Sequence, residues 1–364
     1  MRDLNASSNF AITRQQILRW LREDDPRQLD ALWQRADEVR QANVGNMVHL
    51  RGLVEISSYC TRRCGYCGLR APHVELQRYR MTSDEIVAAA RQAVALGYGT
   101  VVLQAGEDPL LTREWVADIV RRIKSQTPLA LTLSLGERTD DDLRAWRRAG
   151  ADRYLLRFET SDADLYDRIH PPGDHGPCNR VDMLRKLRSL GYEVGSGIMI
   201  GLPGQTFASV TNDILLFRQL DLDMIGIGPY LPHPATPLGC GAWSAPAADG
   251  LQVPGNELMV YKAVALTRII CPEANIPSTT ALATINRQNG RELGLQRGAN
   301  VIMPNLTPLA YRALYEIYPA KACIYETGEQ CHRCLTGRIH RLGRIPGTGA
   351  GCRRRTTVVE GTLP

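Results

Sequence analysis

The stretch Val48-His-Leu-Arg51-Gly-Leu-Val-Glu55-Ile56-Ser-Ser-Tyr-Cys60-Thr-Arg-Arg-Cys64-Gly-Tyr66-Cys67 runs an apolar strand pattern straight into three closely spaced thiols. Working outward from it, short apolar runs recur at Thr100–Gln104, Leu129–Leu133, Arg153–Arg157, Val194–Ile200, Met224–Ile227, Asn275–Pro277 and Asn300–Met303. Amphipathic stretches such as Ser83–Ala95, Arg113–Lys124, Asp140–Ala149 and Met259–Ile270 separate them. Eight β-then-α units in succession predict an α/β fold, a (β/α)8 TIM barrel of parallel strands, with its active site on the face where strands end. Residues 1–45 carry apolar positions at helical spacing and read as an N-terminal helical cap. The barrel is expected over 46–318, with a long Pro-, Gly- and Ala-rich loop at 233–256, and a cysteine-bearing C-terminal extension over 319–364.

Composition limits the function classes. The chain has 364 residues, 44% hydrophobic and 23% charged, and a net charge of +6 spread along its length, values ordinary for a globular protein. The longest basic run, Arg353-Arg354-Arg355, reads as a solvated tail rather than a nucleic-acid surface. No apolar stretch is long enough for a membrane span, and the N-terminus lacks the apolar core of a secretory signal. A cytoplasmic location is expected, where thiols stay reduced, so ten cysteines point to metal binding or catalysis before disulfides. Three lie between 60 and 67 and three between 323 and 334; Cys178, Cys240, Cys271 and Cys352 stand alone.

Three thiolates on one short loop can bind three irons of a 4Fe-4S cubane and leave the fourth open, as catalysis requires. A zinc site with a remote fourth ligand, or plain buried cysteines, is the alternative. The C-x3-C-x2-C spacing of Cys60, Cys64 and Cys67, with aromatic Tyr66 before the third, matches the radical S-adenosylmethionine (SAM) signature. The expected chemistry is reductive cleavage of SAM to a 5′-deoxyadenosyl radical, with the protein positioning the cofactors. Gln104-Ala-Gly106-Glu107-Asp108 ends strand two, where such proteins contact the methionine amino group, and Gly201–Thr206 ends strand five, where they contact adenosine.

Strand parity adds a polar lumen. Arg51 and Glu55 share a face of strand one, Thr132 and Ser134 of strand three, and Arg153, Arg157 and Glu159 of strand four. Buried charges need partners or a ligand. An anionic, amino-acid-like substrate suits guanidinium forks, and internal ion pairing is the plainer alternative.

The sequence also resembles the HydE family of FeFe-hydrogenase maturases. The resemblance rests on Tyr59-Cys-Thr-Arg-Arg-Cys-Gly-Tyr-Cys67-Gly-Leu-Arg70, Arg78-Tyr-Arg-Met-Thr82, Val102-Leu-Gln-Ala-Gly-Glu-Asp-Pro109, Leu133-Ser134-Leu-Gly-Glu137, Ala151–Thr160, Gly201–Thr206, Gly226–Pro229, Pro232–Pro234 and Ala299–Asn305. It implies that Glu159 and Arg180 hold SAM, with Tyr66, Gln104, Gly106, Glu107 and Ser134 around the cofactor. It further implies a substrate lumen of Arg51, Arg153, Arg157, Thr279, Thr280 and Tyr311. The family acts on a small organometallic substrate, an iron-bound cysteine carrying CO and cyanide delivered by HydG, on the way to the scaffold HydF, with an electron donor such as ferredoxin or flavodoxin. Phe158 departs from the family's histidine but has outward parity. The other readings are a related radical SAM mutase or sulfur reaction on a small amino acid, or an iron-sulfur carrier. Cys323, Cys331 and Cys334 match an auxiliary 2Fe-2S or 4Fe-4S site in some members, with Cys352 or water as fourth ligand; a labile, empty or zinc-bound site is the alternative. The solitary cysteines read as structural, and His233, between prolines, as a loop residue.

Overall fold

The computed structural model describes residues 12–173, 179–243 and 250–355. Cys178 and part of the 233–256 loop lie outside them. Two helices lead, α1 (Arg14–Arg22) and α2 (Pro26–Val44), followed by β1 (Met47–Ser57). Then come α3 (Ser83–Ala95), β2 (Thr100–Ala105), α4 (Arg113–Gln126), β3 (Ala130–Ser134), α5 (Asp140–Ala149) and β4 (Arg153–Leu155). Next are α6 (Ala163–Ile169), α7 (Arg180–Ser189), β5 (Glu193–Ile200), α8 (Phe207–Gln219), β6 (Met224–Pro229) and α9 (Glu257–Ile270). The remainder comprises α10 (Thr280–Ile285), α11 (Gly290–Gln296), β7 (Val301–Ile302), α12 (Leu309–Arg312), α13 (Gly328–Arg341) and β8 (Ile345–Gly347). Local chemistry sets these boundaries. Thr82 and Glu85 form a reciprocal capping box on α3, Thr327 and Gln330 do so on α13, and Asp25 caps α2 ahead of Pro26 at its first turn. Among the described residues no helix is long and apolar enough to cross a membrane.

Strands β6-β5-β4-β3-β2-β1-β7 pair in that order, all parallel, giving a TIM-like partial barrel wrapped in helices. Its interstrand register sets Glu55, Gln104 and Ser134 in one row across β1, β2 and β3. The first two helices pack on α8 and α9, with Ile17, Leu21, Leu32 and Ala36 fully or almost fully buried in the same core as the strands.

Four expectations change. The seventh strand, expected at Asn275–Pro277, survives only as single bridges from Asn275 to Met224 and from Pro277 to Val301, because a proline cannot donate to a ladder. The expected fourth strand stops at Leu155, short of Arg157. The C-terminal extension returns to the sheet, with β8 pairing β1 at Met47–His49. Finally, Arg353 and Arg355 are not a solvated tail. Arg353 pairs with Asp221 (2.6 Å) and Glu273 (3.4 Å), and Arg355 with Asp221 (2.7 Å) and Asp223 (3.0 Å), pinning residues 349–352 across the base of the barrel. There the Ala350 carbonyl accepts from Thr100 and Arg153, and the Gly351 carbonyl from Arg51 and Asn275.

Candidate active site

Beyond β1 the chain turns over the strand-end face and stays there by backbone bonds. Thr61 N–H donates to the Glu107 carbonyl (3.0 Å), Gly65 N–H to Ile169 (2.7 Å) and Gly68 N–H to Ile317 (3.0 Å). Arg78 straps the loop's two ends, donating to the carbonyls of Ser58, Leu69 and Arg70. Gly106 is glycine for a steric reason: a Cβ there would lie 2.7 Å from Cys60 Cβ and 2.3 Å from the Tyr59 oxygen. Glu107 N–H then points at Cys60 Sγ (3.4 Å).

Cys64 is buried, and Cys60 and Cys67 are half-buried. Burial pushes all three thiols up, Cys64 to about 12; the charges of neighbouring cysteines add to the rise at Cys64 and Cys67, and that of Glu107 at Cys60. Three soft donors whose ionisation is disfavoured by burial fit an iron cluster, whose cations would supply the missing compensation. Among the described residues no three such side chains are preset around one metal position.

Beside the loop stands a buried wall of alternating charge. Arg180, the first residue of α7, donates from Nε to Glu137 Oε1 (2.8 Å), and its Nη2 lies 3.6 Å from Glu107 Oε1. Arg62, inside the cysteine loop, meets Glu137 at 3.2 Å and Glu107 at 3.8 Å. His170 lies between the two guanidiniums, 3.0 Å from Arg62 and 2.6 Å from Arg180. Burial, reinforced by both arginines, lowers its pKa to about 2, so it is neutral. Burial and the charge of Glu137 push the Glu107 carboxyl up, against the pull of the two arginines. Gly136, in the left-handed region at φ +77°, clears the space for Glu107, since a Cβ would fall 2.1 Å from its Cγ.

Glu159 takes a φ of +62°, uncommon for a residue with a side chain and characteristic of functional sites. Its N–H bonds the Gly197 carbonyl and its own carbonyl accepts from Met199, while Arg157 Nε lies 3.1 Å from both carboxylate oxygens. Arg157 and Glu159 line a chamber of about 200 Å³ with Tyr66, Cys67, Thr279, Thr280 and Tyr318. Gln104 donates to the Tyr315 hydroxyl (3.3 Å), and Ser134 is its register partner on β3. Thr279 also caps α10.

Other expected site residues lie elsewhere. Arg51 and Arg153 do point inward, but at the barrel's base. Arg153 is fully buried against Glu193 (2.5 Å), Thr100, Ala350 and Cys352 (3.1 Å). Arg51 donates to Met224 Sδ (2.9 Å) and Gly351. Protein groups thus hold the positions expected for substrate. Tyr311 is outside the chamber, bonded to Glu85 on α3 (2.9 Å) and stacked on Tyr79. Tyr315 and Tyr318, in the irregular segment after α12, supply the interior hydroxyls. Glu55 is matched by Lys321 (2.7 Å), a cation that sequence reading did not assign. It also missed Arg62, Glu137 and His170. Arg62 stands inside the cysteine motif and Glu137 just past strand three, and those positions were the available signal.

The second cysteine group borders its own pocket of about 190 Å³. Cys323 hydrogen bonds Cys331, which lowers its thiol pKa, and Arg291 lies 3.6 Å from its sulfur. Cys331 is buried on α13 and Cys334 exposed one turn on. Cys352 contacts Arg153 at the barrel's base and is not placed as a fourth ligand. Cys271 caps α9, and His233 organises its loop through Ala235 and Thr236.

The sequence pattern of the radical SAM superfamily matches residues 54–217. The chain is 47% identical over 326 residues to the [FeFe] hydrogenase maturase subunit HydE of Thermotoga maritima, covering 90% of this chain and 89% of that one. The 3-methylornithine synthase of Methanosarcina barkeri is 28% identical, over 77% of this chain and 75% of its own. A crystal structure of methylornithine synthase superposes with a TM-score of 0.77 at 24% identity, covering 93% of this chain and 95% of that one, a likeness of fold.

Proposed function

The chain belongs to the HydE family of radical SAM enzymes, and from that premise we propose that it acts in FeFe-hydrogenase maturation on a small iron-bound cysteine substrate. Cys60, Cys64 and Cys67 would hold the 4Fe-4S cluster, which when bound supplies the electron that cleaves SAM. The observation that carries the reading is the charged wall of Arg62, Glu107, Glu137 and Arg180 beside that loop, which Arg180 joins to the Arg157–Glu159 chamber by donating to the Arg157 carbonyl (2.7 Å). Two arginines and two glutamates within one buried layer suit an amino acid's carboxylate and ammonium together. In this reading Arg180 and Arg62 take the SAM carboxylate. Glu159 and the strand ends at Gln104, Gly106, Glu107 and Ser134 orient the rest, beside Tyr66. Arg157, Thr279 and Thr280 face substrate and exclude water from it. HydG would deliver the substrate, HydF would receive the product, and a ferredoxin or flavodoxin would supply electrons. We read the barrel as eight staves with 275–277 as the seventh, and Cys323, Cys331 and Cys334 as an auxiliary iron-sulfur site.

The test is anaerobic reconstitution followed by maturation of an apo-hydrogenase with HydF and HydG. Wild type should form 5′-deoxyadenosine and active hydrogenase, and Cys64→Ala neither. SAM cleavage without maturation would favour a different small substrate. Full cleavage by Cys64→Ala would overturn the triad itself.

A further inference from the structure

The proposed site leaves one buried acid without a task. Asp213, in the middle of α8, is fully buried. Its Oδ1 accepts the Ser161 backbone N–H at 2.5 Å, Oδ2 has no partner, and among the described residues no arginine or lysine forms an ion pair with it. Burial pushes its carboxyl up to about 7. Stability alone does not favour such a group, because the backbone and hydroxyl hydrogen bonds from Ser161 offset only part of the desolvation of a carboxyl. An asparagine could accept the same bond without the charge.

The bond matters for what leaves Ser161 in each direction. Two residues before it is Glu159, held in its left-handed conformation between Gly197 and Met199 of β5. One residue after it, Asp162 caps α6 by accepting the Leu165 N–H (3.1 Å). One and two turns along α6 lie Tyr166 and His170, and His170 abuts Arg180 and Arg62. The Glu159 carboxylate and the arginine wall therefore depart from a single turn, and Asp213 is its anchor from outside. Its own helix begins at the Gly201–Thr206 turn, the expected adenosine contact. Asp213 thus ties the turn after β4 to the turn after β5.

We propose that Asp213 is a positioning residue for SAM, holding Ser161 so that Glu159 and α6 meet the cofactor in one fixed relation. The inference rests on the reading that Glu159 and Arg180 contact SAM. It is tested on the reconstituted full chain by equilibrium dialysis of SAM, with iron content and melting temperature measured alongside. Asp213→Ala should raise the SAM Kd about tenfold or more, since small misplacements of binding groups are costly. Iron content should be unchanged, and the melting temperature shows whether the variant is folded at the temperature of the dialysis. Asp213→Asn, which keeps the acceptor, should restore near-normal affinity. Glu159→Ala is the reference for the underlying reading. If it loses SAM affinity while Asp213→Ala does not, the positioning role is wrong and the site reading stands. If Glu159→Ala binds SAM normally, both fall. Should Asp213→Ala fail to fold, Asp213→Val, closer in volume, is read by the same criteria.

Discussion

Arg180 Nε donates to Glu137 Oε1 at 2.8 Å, and both side chains are about nine-tenths buried. The arginine expected to receive a cofactor carboxylate is therefore already held by a protein carboxylate, which fixes its orientation before any ligand arrives. Removing one partner of a buried pair costs about 3–5 kcal/mol, mostly by stranding the other charge. Glu137→Ala should lower unfolding free energy by about that amount in denaturant titration and weaken SAM binding. A variant with unchanged stability would show the pair to be incidental.

His170 should make the fold acid-sensitive. Its pKa in the folded chain, about 2, lies below the unfolded value of 6.5, so the unfolded chain binds the extra proton. Stability from this group is present above pH 6.5 and is lost as pH falls below it, by about 1.4 kcal/mol per unit. Denaturation between pH 7 and 5 should show a slope that His170→Asn flattens. Equal slopes in both proteins would refute the assignment.

Arg153 now carries a structural prediction. Arg153→Met removes donors from Ala350, Thr100 and Glu193 and should cost about 2–3 kcal/mol, discounted because Glu193 is partly exposed. SAM affinity should stay within about twofold, because distant sites are energetically independent. Loss of SAM binding in a folded variant would return this arginine to the active site.

For the C-terminal group, replacing Cys323, Cys331 and Cys334 with serine should lower iron content and leave SAM cleavage largely intact. Cys352→Ser should leave iron content unchanged, given its place against Arg153. Iron loss in the single Cys352 variant would require a rearranged tail.

What could be read from the sequence was local. The cysteine loop after β1, the strand-to-helix succession and the inward parity of Arg51, Arg153 and Arg157 all follow from spacing along a few residues. Parity names a face but not a height. Arg51 and Arg153 stand at the base because register pairs them with Thr100 and Glu193, the first residues of their strands. Pairing of this kind is set by tertiary structure. The same holds for Tyr311, turned outward where Tyr315 and Tyr318 turn in. It holds also for Ile345-Pro-Gly347, too short to signal a strand until β1 offers an edge. Arg62 and Glu137 went unassigned in the Arg62–Glu107–Glu137–Arg180 wall because its four members come from four separate segments.

The strap at 345–352 gives the chain an order of assembly. β1 is made early and pairs with β2, yet its other edge and its first residues are completed by β7 and β8, from residues made some 250 to 300 positions later. A ribosome-bound chain therefore carries an unfinished first strand for most of its synthesis, with Arg51 and Arg153 uncapped and one sheet edge bare. The cysteine loop is at the other end of that strand, so the thiols are on hand for iron while the base still waits for its closure.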